Sequence, residues 1–408
     1  MTGQFYHTHT LSNGLRIIYQ PFPSEISYCG FGVNTGSRDE MPDEHGMAHF
    51  VEHMLFKGTR HRRAHHIINR MENVGGELNA YTTKEETFVY AAFLEEHIAR
   101  AVELLSDILF NSVFPPAQIE RERDVVLDEI NSYVDSPAEL VYDDFENRVF
   151  DGHELGHYIL GTPESLAVFD SDKARNFVRR QYHPAQMVFF SFGKTGFSRI
   201  VKLAEKYLSF SSGDASPKNR VPAVASAAGE QALPKNTAQS HVVMGTTLFG
   251  MHHPKRFEAY LLNHILGGAS MSSRLNTSLR EKHGLAYNAE SNLVFYSDVG
   301  VFSVYYACDP KNTNRCLRLV EKELNRLMQT PLTAMQLSAA KRQLKGQLGI
   351  SAQNNESVAL GMAKSFLHFN RYYSFAETFE KIDAVTSAQL QQMAVDIWNT
   401  GNIFRLRY

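Results

Sequence analysis

Residues 46–56, Gly-Met-Ala-His49-Phe-Val-Glu52-His53-Met-Leu-Phe, place the tightest limit on how this chain can fold. The run is otherwise mostly apolar, which reads as a buried helix, yet it carries two imidazoles and a carboxylate in the order HxxEH. On a helix, residues four apart lie within about 40° of each other, so His49 and His53 project from one face with Glu52 at its edge. Burying these three groups without partners costs on the order of several kcal/mol. The fold must therefore pair them closely or give them a cation. Two imidazoles on one helix face are the first two nitrogen ligands that a divalent metal needs. Glu52, beside them, suits a general base acting on a water that the metal activates.

A metal site of this kind needs a third protein ligand. The acidic run at 118–130, QIERERDVVLDEI, offers Glu122, Asp128 and Glu129. Glu122 and Glu129 are seven residues apart and share a helix face near apolar Val126 and Ile130. The same run also reads as a solvated charged helix with pairs such as Glu120–Arg123 and Arg121–Asp124. Spacing alone leaves the three acids open. Residues 60–66, RHRRAHH, hold three more histidines. Without a repeated ligand spacing they read as a solvated helix start, one that could also guide acidic peptides.

Apolar periodicity predicts strands at 15–20, 27–33, 79–82 and 87–92, with helices at 46–56, 95–109, 116–133 and 173–182 and a strand at 187–192. The second half runs in a similar order. A strand at 241–248 and a helix at 256–266 precede strands at 286–295 and 300–307; later helices end with one at 387–398 and a strand at 403–407. Paired strands followed by helix blocks imply an α+β fold, with helices on one face of a mainly antiparallel sheet.

The halves also match each other. At an offset of 211 residues His49-Phe-Val-Glu52-His53 lies over Tyr260-Leu-Leu-Asn263-His264, and at 218 Glu129 lies over Gln347. A duplicated domain with chemistry in one copy follows. Residues 211–238 are rich in Ser, Ala, Gly and Pro and read as a linker. The expected organisation is a metal-binding domain at 1–210, the linker, and a degenerate, substrate-holding domain at 239–408.

The 408 residues carry a net charge of −3 and 43% apolar residues, values of a globular chain. So balanced a charge argues against nucleic-acid binding, which leaves a basic footprint. Cys29, Cys308 and Cys316 are an odd number without a CxxC pair, so a disulfide scaffold and a thiolate zinc site are not expected. The N-terminus lacks the pattern of a secretory signal or transit peptide, and no apolar run is long enough for a membrane span. A cytoplasmic location is the expectation.

HxxEH is the inverse of the commoner HExxH and marks the inverzincins. Four further segments accompany it: 75–87, GGELNAYTTKEET; 122–130, ERDVVLDEI; 267–275, GGASMSSRL; and 279–287, LREKHGLAY. Together they make the chain resemble the pitrilysin family of zinc peptidases, which includes insulysin and the mitochondrial processing peptidase, from Leu15 to the final strand. The resemblance implies a zinc metalloendopeptidase with one zinc ion per chain, held by His49, His53 and Glu129, which stands 76 positions after His53. It makes Glu52 the general base and Glu122 an acidic group that supports catalysis. It has Asn79 and Ala80 contact the backbone of a peptide added as an extra β-strand. Arg280 and Tyr287 would hold the substrate and stabilise the tetrahedral intermediate. The short stretch at Gly267-Gly268, with both residue sets present, resembles self-sufficient bacterial-type members of the family. Those features imply unfolded peptides or targeting sequences as substrates, and a homodimer or a heterodimer with a related subunit. The alternative is a scaffold, or a subunit that needs a partner, with the same fold and no activity of its own.

Overall fold

The apolar runs of the first half build a six-stranded sheet from β1 (His7–Thr10), β2 (Arg16–Pro21), β3 (Ile26–Val33), β4 (Glu77–Thr82), β5 (Thr87–Leu94) and β6 (Met187–Gly193). Their spatial order is β1-β2-β6-β3-β5-β4, antiparallel except for the parallel pair β2/β6. The structure, a computed structural model, describes residues 5–209, 218, 220–224, 228–399 and 401–408. A second sheet comprises β7 (Gly229–Ala232), β8 (Ser240–Phe249), β9 (Ala286–Phe295), β10 (Val299–Cys308) and β11 (Phe404–Arg407), in the order β7-β11-β8-β10-β9. Here too all pairs are antiparallel except one, β7/β11. The two sheets thus share one topology, β2-β6-β3-β5-β4 matching β7-β11-β8-β10-β9, which is the α+β duplication that the sequence self-match implies.

The helices that matter below are α1 (Met47–Leu55), α2 (Ala64–Glu72), α3 (Ile98–Phe110), α4 (Pro116–Val134) and α5 (Pro137–Val149), then α6 (Arg256–Gly267), α7 (Ala334–Ser351) and α8 (Asn355–Phe369). On one face of the first sheet, Phe31, Val89 and Phe189 pack with Phe50 and Val51 of α1 and Leu104 and Ile108 of α3. Helices on this one face are what the sequence predicts. The opposite face is covered as well: Phe88, Tyr90 and Phe190 meet Ala359, Met362, Ala363 and Phe366 of α8. The reason lies in β5 and β6, TFVYAAFL and MVFFSFG, continuous apolar runs that must be buried on both sides.

The second sheet repeats the arrangement. Met244, Phe302 and Val304 pack on Ala259, Leu262 and Leu266 of α6, while Val243, Val301 and Tyr305 are covered by Val141, Phe145 and Val149 of α5. The two compact units are consequently not contiguous in sequence. One contains Met1–Asn131, His157–Arg220 and Ala352–Tyr373; the other contains Ser132–Gly156, Val221–Ser351 and Ser374–Tyr408. Division at 210 and 239 differs from these units because α5 and α8 each cover the sheet built by the other half of the sequence.

Much of the expected linker at 211–238 lies outside the described residues. Of the rest, β7 belongs to the second sheet. Lys218 and Arg220 are tied to the first unit: Arg220 donates to both oxygens of Asp39 at 3.1 and 2.9 Å, and the Lys218 ammonium donates to Gln181 Oε1 at 2.6 Å. Among the described residues no helix is long and apolar enough to cross a membrane.

Candidate metal centre

Helix α1 enters from Gly46, whose φ of 95° is left-handed. A side chain there would meet the backbone of Gly161 and Leu160 at 2.8 Å, so only glycine fits. Met47, Ala48, Phe50, Val51, Met54 and Leu55 are fully buried, and this fixes which face of α1 turns to α4. The face carries His49 and His53, with ring centroids 4.5 Å apart.

Glu129 of α4 completes a group. Its Oε2 lies 3.8 Å from Nε2 of His49 and 3.6 Å from Nε2 of His53. Among the described residues these three form the metal-capable cluster, one donor atom from each within 4.8 Å of the others. A tetrahedral zinc ion with bonds of ~2.0–2.2 Å places its ligand atoms about 3.4 Å apart. Two imidazole nitrogens and a carboxylate oxygen at 3.6–3.8 Å therefore fit zinc in both chemistry and spacing.

The acid that spacing could not separate from Glu129 is engaged elsewhere. Glu122 is buried, with Oε1 2.9 Å from Nδ1 of His53 and Oε2 2.6 Å from the Lys57 ammonium. A carboxylate on Nδ1 orients the ring and leaves Nε2 for the Glu129 side, the arrangement typical of metal-ligating histidines. Asp128 is exposed and outside the cluster.

Electrostatics separates the two imidazoles. Burial, aided by neighbouring His53, pushes His49 down to about 3, so its ring is neutral at physiological pH. Burial also works against a charge on His53, but Glu122, Glu129 and Glu52 outweigh it and the net shift is upward. His53 thus sits where a cation is favoured, whether a proton or a divalent metal. Glu122 is held below the usual carboxylate range because His53 and Lys57 outweigh its burial. Burial raises Glu52, against the opposing pull of Thr82 and His53.

Thr82 is the residue that sequence reasoning left without a role. Its Oγ1 donates to Oε2 of Glu52 at 2.5 Å. It stands two positions after Ala80 on β4, and the period of two along a strand was the signal that could have found it. Among the described residues strand β4 is the edge of the first sheet and pairs only with β5, Asn79 opposite Tyr90 and Ala80 opposite Val89. A cleft of about 530 Å³ opens beside it, lined by Glu52, His53, Phe56, Lys57, Glu122 and residues 76–80. Asn79 and Ala80 therefore share one cleft with Glu52 and His53.

Arg280 and Tyr287 come together in the second unit. Arg280, in the π-helical stretch Asn276–Lys282, sits 4.8 Å from the ring centroid of Tyr287 in β9. Tyr287 is 73% exposed. The histidine-rich run at 60–66 is partly tied down. His61 and Arg62 each meet Asp107 at 2.6 Å, and Arg62 meets Glu103 at 2.6 Å, ahead of α2.

A duplicated α+β chain with two histidines and a glutamate in one metal-capable cluster agrees with a family of peptidases. The chain belongs to the insulinase family, peptidase family M16: residues 16–163 match the family description "Insulinase (Peptidase family M16)" and residues 169–344 match "Peptidase M16 inactive domain". It is 32% identical to an uncharacterized zinc protease of Bacillus subtilis, YmxG, over 95% of this chain and 94% of that one. It is also 32% identical to an uncharacterized zinc protease of Streptomyces coelicolor, over 95% of this chain and 86% of the other. In fold it is similar to a protease from Helicobacter pylori, with a TM-score of 0.92 at 19% identity over 98% of both chains. A Pseudomonas fluorescens structure titled as a peptidase M16 inactive domain gives 0.89 at 19% identity, over 98% of this chain and 97% of that one. These matches bear out the pitrilysin-type resemblance and the two-domain α+β fold.

Proposed function

We propose that the chain is a zinc-dependent endopeptidase that hydrolyses unfolded peptides or targeting sequences. The observation that carries this reading is the convergence of His49, His53 and Glu129, with His53 and Glu52 also lining the cleft beside edge strand β4. His49, His53 and Glu129 would hold one zinc ion. Zinc bound there would supply Lewis acidity that activates water near neutral pH. Glu52 accepts that water's proton and passes it to the leaving amine, and Thr82 fixes the carboxylate from one side. Glu122 orients His53 and keeps its Nε2 turned to the site. The substrate joins β4 as an added strand, its backbone paired at Asn79 and Ala80, so that side chains matter less than an extended, unfolded backbone.

Arg280 and Tyr287 hold the substrate and stabilise the developing oxyanion, and the active form is a homodimer. Preorganised donors of that kind are worth about 2.7–4 kcal/mol each. The protein needs no nucleic acid or membrane for this reaction.

The test is hydrolysis of a quenched fluorescent peptide library by purified protein, with metal content assayed on the same sample. Wild type, Glu52→Gln and chelator-treated protein run side by side, with sizing of the active species. Cleavage by wild type, lost in Glu52→Gln at unchanged metal content, supports the peptidase reading. Protein that holds metal and cleaves nothing supports a subunit that needs a related partner. Protein with neither metal nor activity supports a scaffold. An active, strictly monomeric species refutes the homodimer.

A further inference from the structure

Helix α1 has no side chain at its own start, because Gly46 stands at the N-cap. Its first amides are held from a distance instead. Glu40 Oε2 accepts from the Gly46 N–H at 2.9 Å, and Oε1 accepts from the Ala48 N–H at 2.8 Å. The Glu40 side chain is completely buried. Nε2 of His157 lies 3.0 Å from Oε2 and 3.0 Å from the Ser37 carbonyl. The ring of His157 stacks on His45 with centroids 4.0 Å apart, and its carbonyl accepts from the Lys84 ammonium. His157, itself held by His45, Lys84 and the Ser37 carbonyl, thus braces one carboxylate against one helix end.

The duplicated copy supplies the comparison. At the offset of 211 residues that superposes the two sequences, Glu40 falls on Met251 and His49 on Tyr260. The equivalent helix α6 starts at Arg256, two positions earlier than the register of α1 requires, after an unstrained N-cap at Lys255. Its Ala259 N–H turns to the Lys255 carbonyl at 3.3 Å, an ordinary helical bond. In the second unit the helix starts without a side-chain cap, and the acid in its first turn, Glu258, is only half-buried. The buried clasp is present in the copy that has His49, His53 and Glu129, and is missing where Tyr260 and Gln347 stand in place of His49 and Glu129 although His264 is kept.

We infer that Glu40 is a positioning residue of the metal centre: it fixes where α1 begins, and so the register and depth at which His49 and His53 meet Glu129. This rests on the zinc reading above. Ligand constellations tolerate displacements of only about 0.5 Å. His49 lies one residue beyond the clasped Ala48 amide, so a shift of the helix end reaches it undiminished.

Glu40→Gln keeps the volume but replaces one acceptor oxygen with a donor, and Glu40→Asp keeps the carboxyl group but withdraws it by one methylene. Zinc affinity of the full chain, measured by competition with a chelator, is the primary readout. Both variants are expected to bind zinc about 10–100-fold more weakly. kcat falls with them, while KM for peptide stays within about twofold because the clasp does not touch β4. Phe366→Ala, which destabilises the same unit from the other face of its sheet, is the control and keeps zinc affinity. If Glu40→Gln does not fold, Glu40→Asp decides. Folded Glu40 variants that bind zinc as tightly as wild type overturn the inference, as does an equal loss in Phe366→Ala. Wild type that takes up no zinc overturns both readings; wild type that binds and cleaves beside a tight-binding Glu40→Asp overturns this one alone.

Discussion

Replacing Thr82 by Val tests how the carboxylate of Glu52 is held. The substitution keeps the branched shape on the half-buried strand β4 and removes only the hydroxyl that donates to Glu52 Oε2 at 2.5 Å. A hydrogen bond to a charged group is worth about 1.5–3 kcal/mol. If that sum is needed to keep Glu52 aimed as the reaction proceeds, kcat falls by roughly 10–150-fold. The bond is made by the Thr82 side chain and not by the backbone at Asn79 and Ala80 where the peptide is expected to pair, so KM should move by less than about twofold. Nor does it touch His49, His53 or Glu129, so zinc content should be unchanged. Steady-state kinetics on a quenched fluorescent peptide separate the two constants, with metal assayed on the same samples. Thr82→Ser, which restores the hydroxyl, should recover most of the lost kcat. Unchanged kcat in Thr82→Val, or a loss confined to KM, would refute the reasoning.

Three further outcomes are expected. Glu122→Gln weakens the hold on His53 Nδ1 and on Lys57, so zinc affinity measured by chelator competition should drop about 10–100-fold. Phe366→Ala empties a buried site between α8 and the first sheet and should cost about 3–5 kcal/mol in urea unfolding of the first unit. Glu86 is buried but held below its ordinary range because His368 and Lys364 outweigh its burial. A depressed carboxyl contributes stability that is present above its unfolded pKa of about 4.3 and lost as pH falls through the folded value. Urea unfolding at pH 7 and pH 4 should therefore show an acid loss that is smaller in Glu86→Gln than in wild type.

The elements around the site were legible because their patterns are local. HxxEH inside an apolar run gave α1 to within a residue or two, and turn and strand signals gave β4 and β5. What was hidden was tertiary. Spacing on α4 could not choose among Glu122, Asp128 and Glu129, because the choice depends on where Lys57 and His53 Nδ1 sit. Thr82 carries no chemical signal of its own until the Glu52 carboxylate is folded against it. Glu40 reads as one more acid in an acidic loop, and only burial beside the Gly46 amide sets it apart. The second covering helix of the first sheet was foreshadowed by the continuous apolar strands β5 and β6, but period alone cannot say which distant helix will lie on them.

The reciprocal covering by α5 and α8 also orders events in time. During synthesis the first sheet is complete once β6 has emerged, yet its outer face stays bare until α8 follows about 160 residues later. At ~5–20 residues per second that is a wait of roughly 10–30 s. Through that interval Phe88, Tyr90 and Phe190 face water or a chaperone. A fragment ending near residue 210 keeps them exposed for good, and a peptide spanning residues 352–373 supplied in trans is what should make such a fragment soluble.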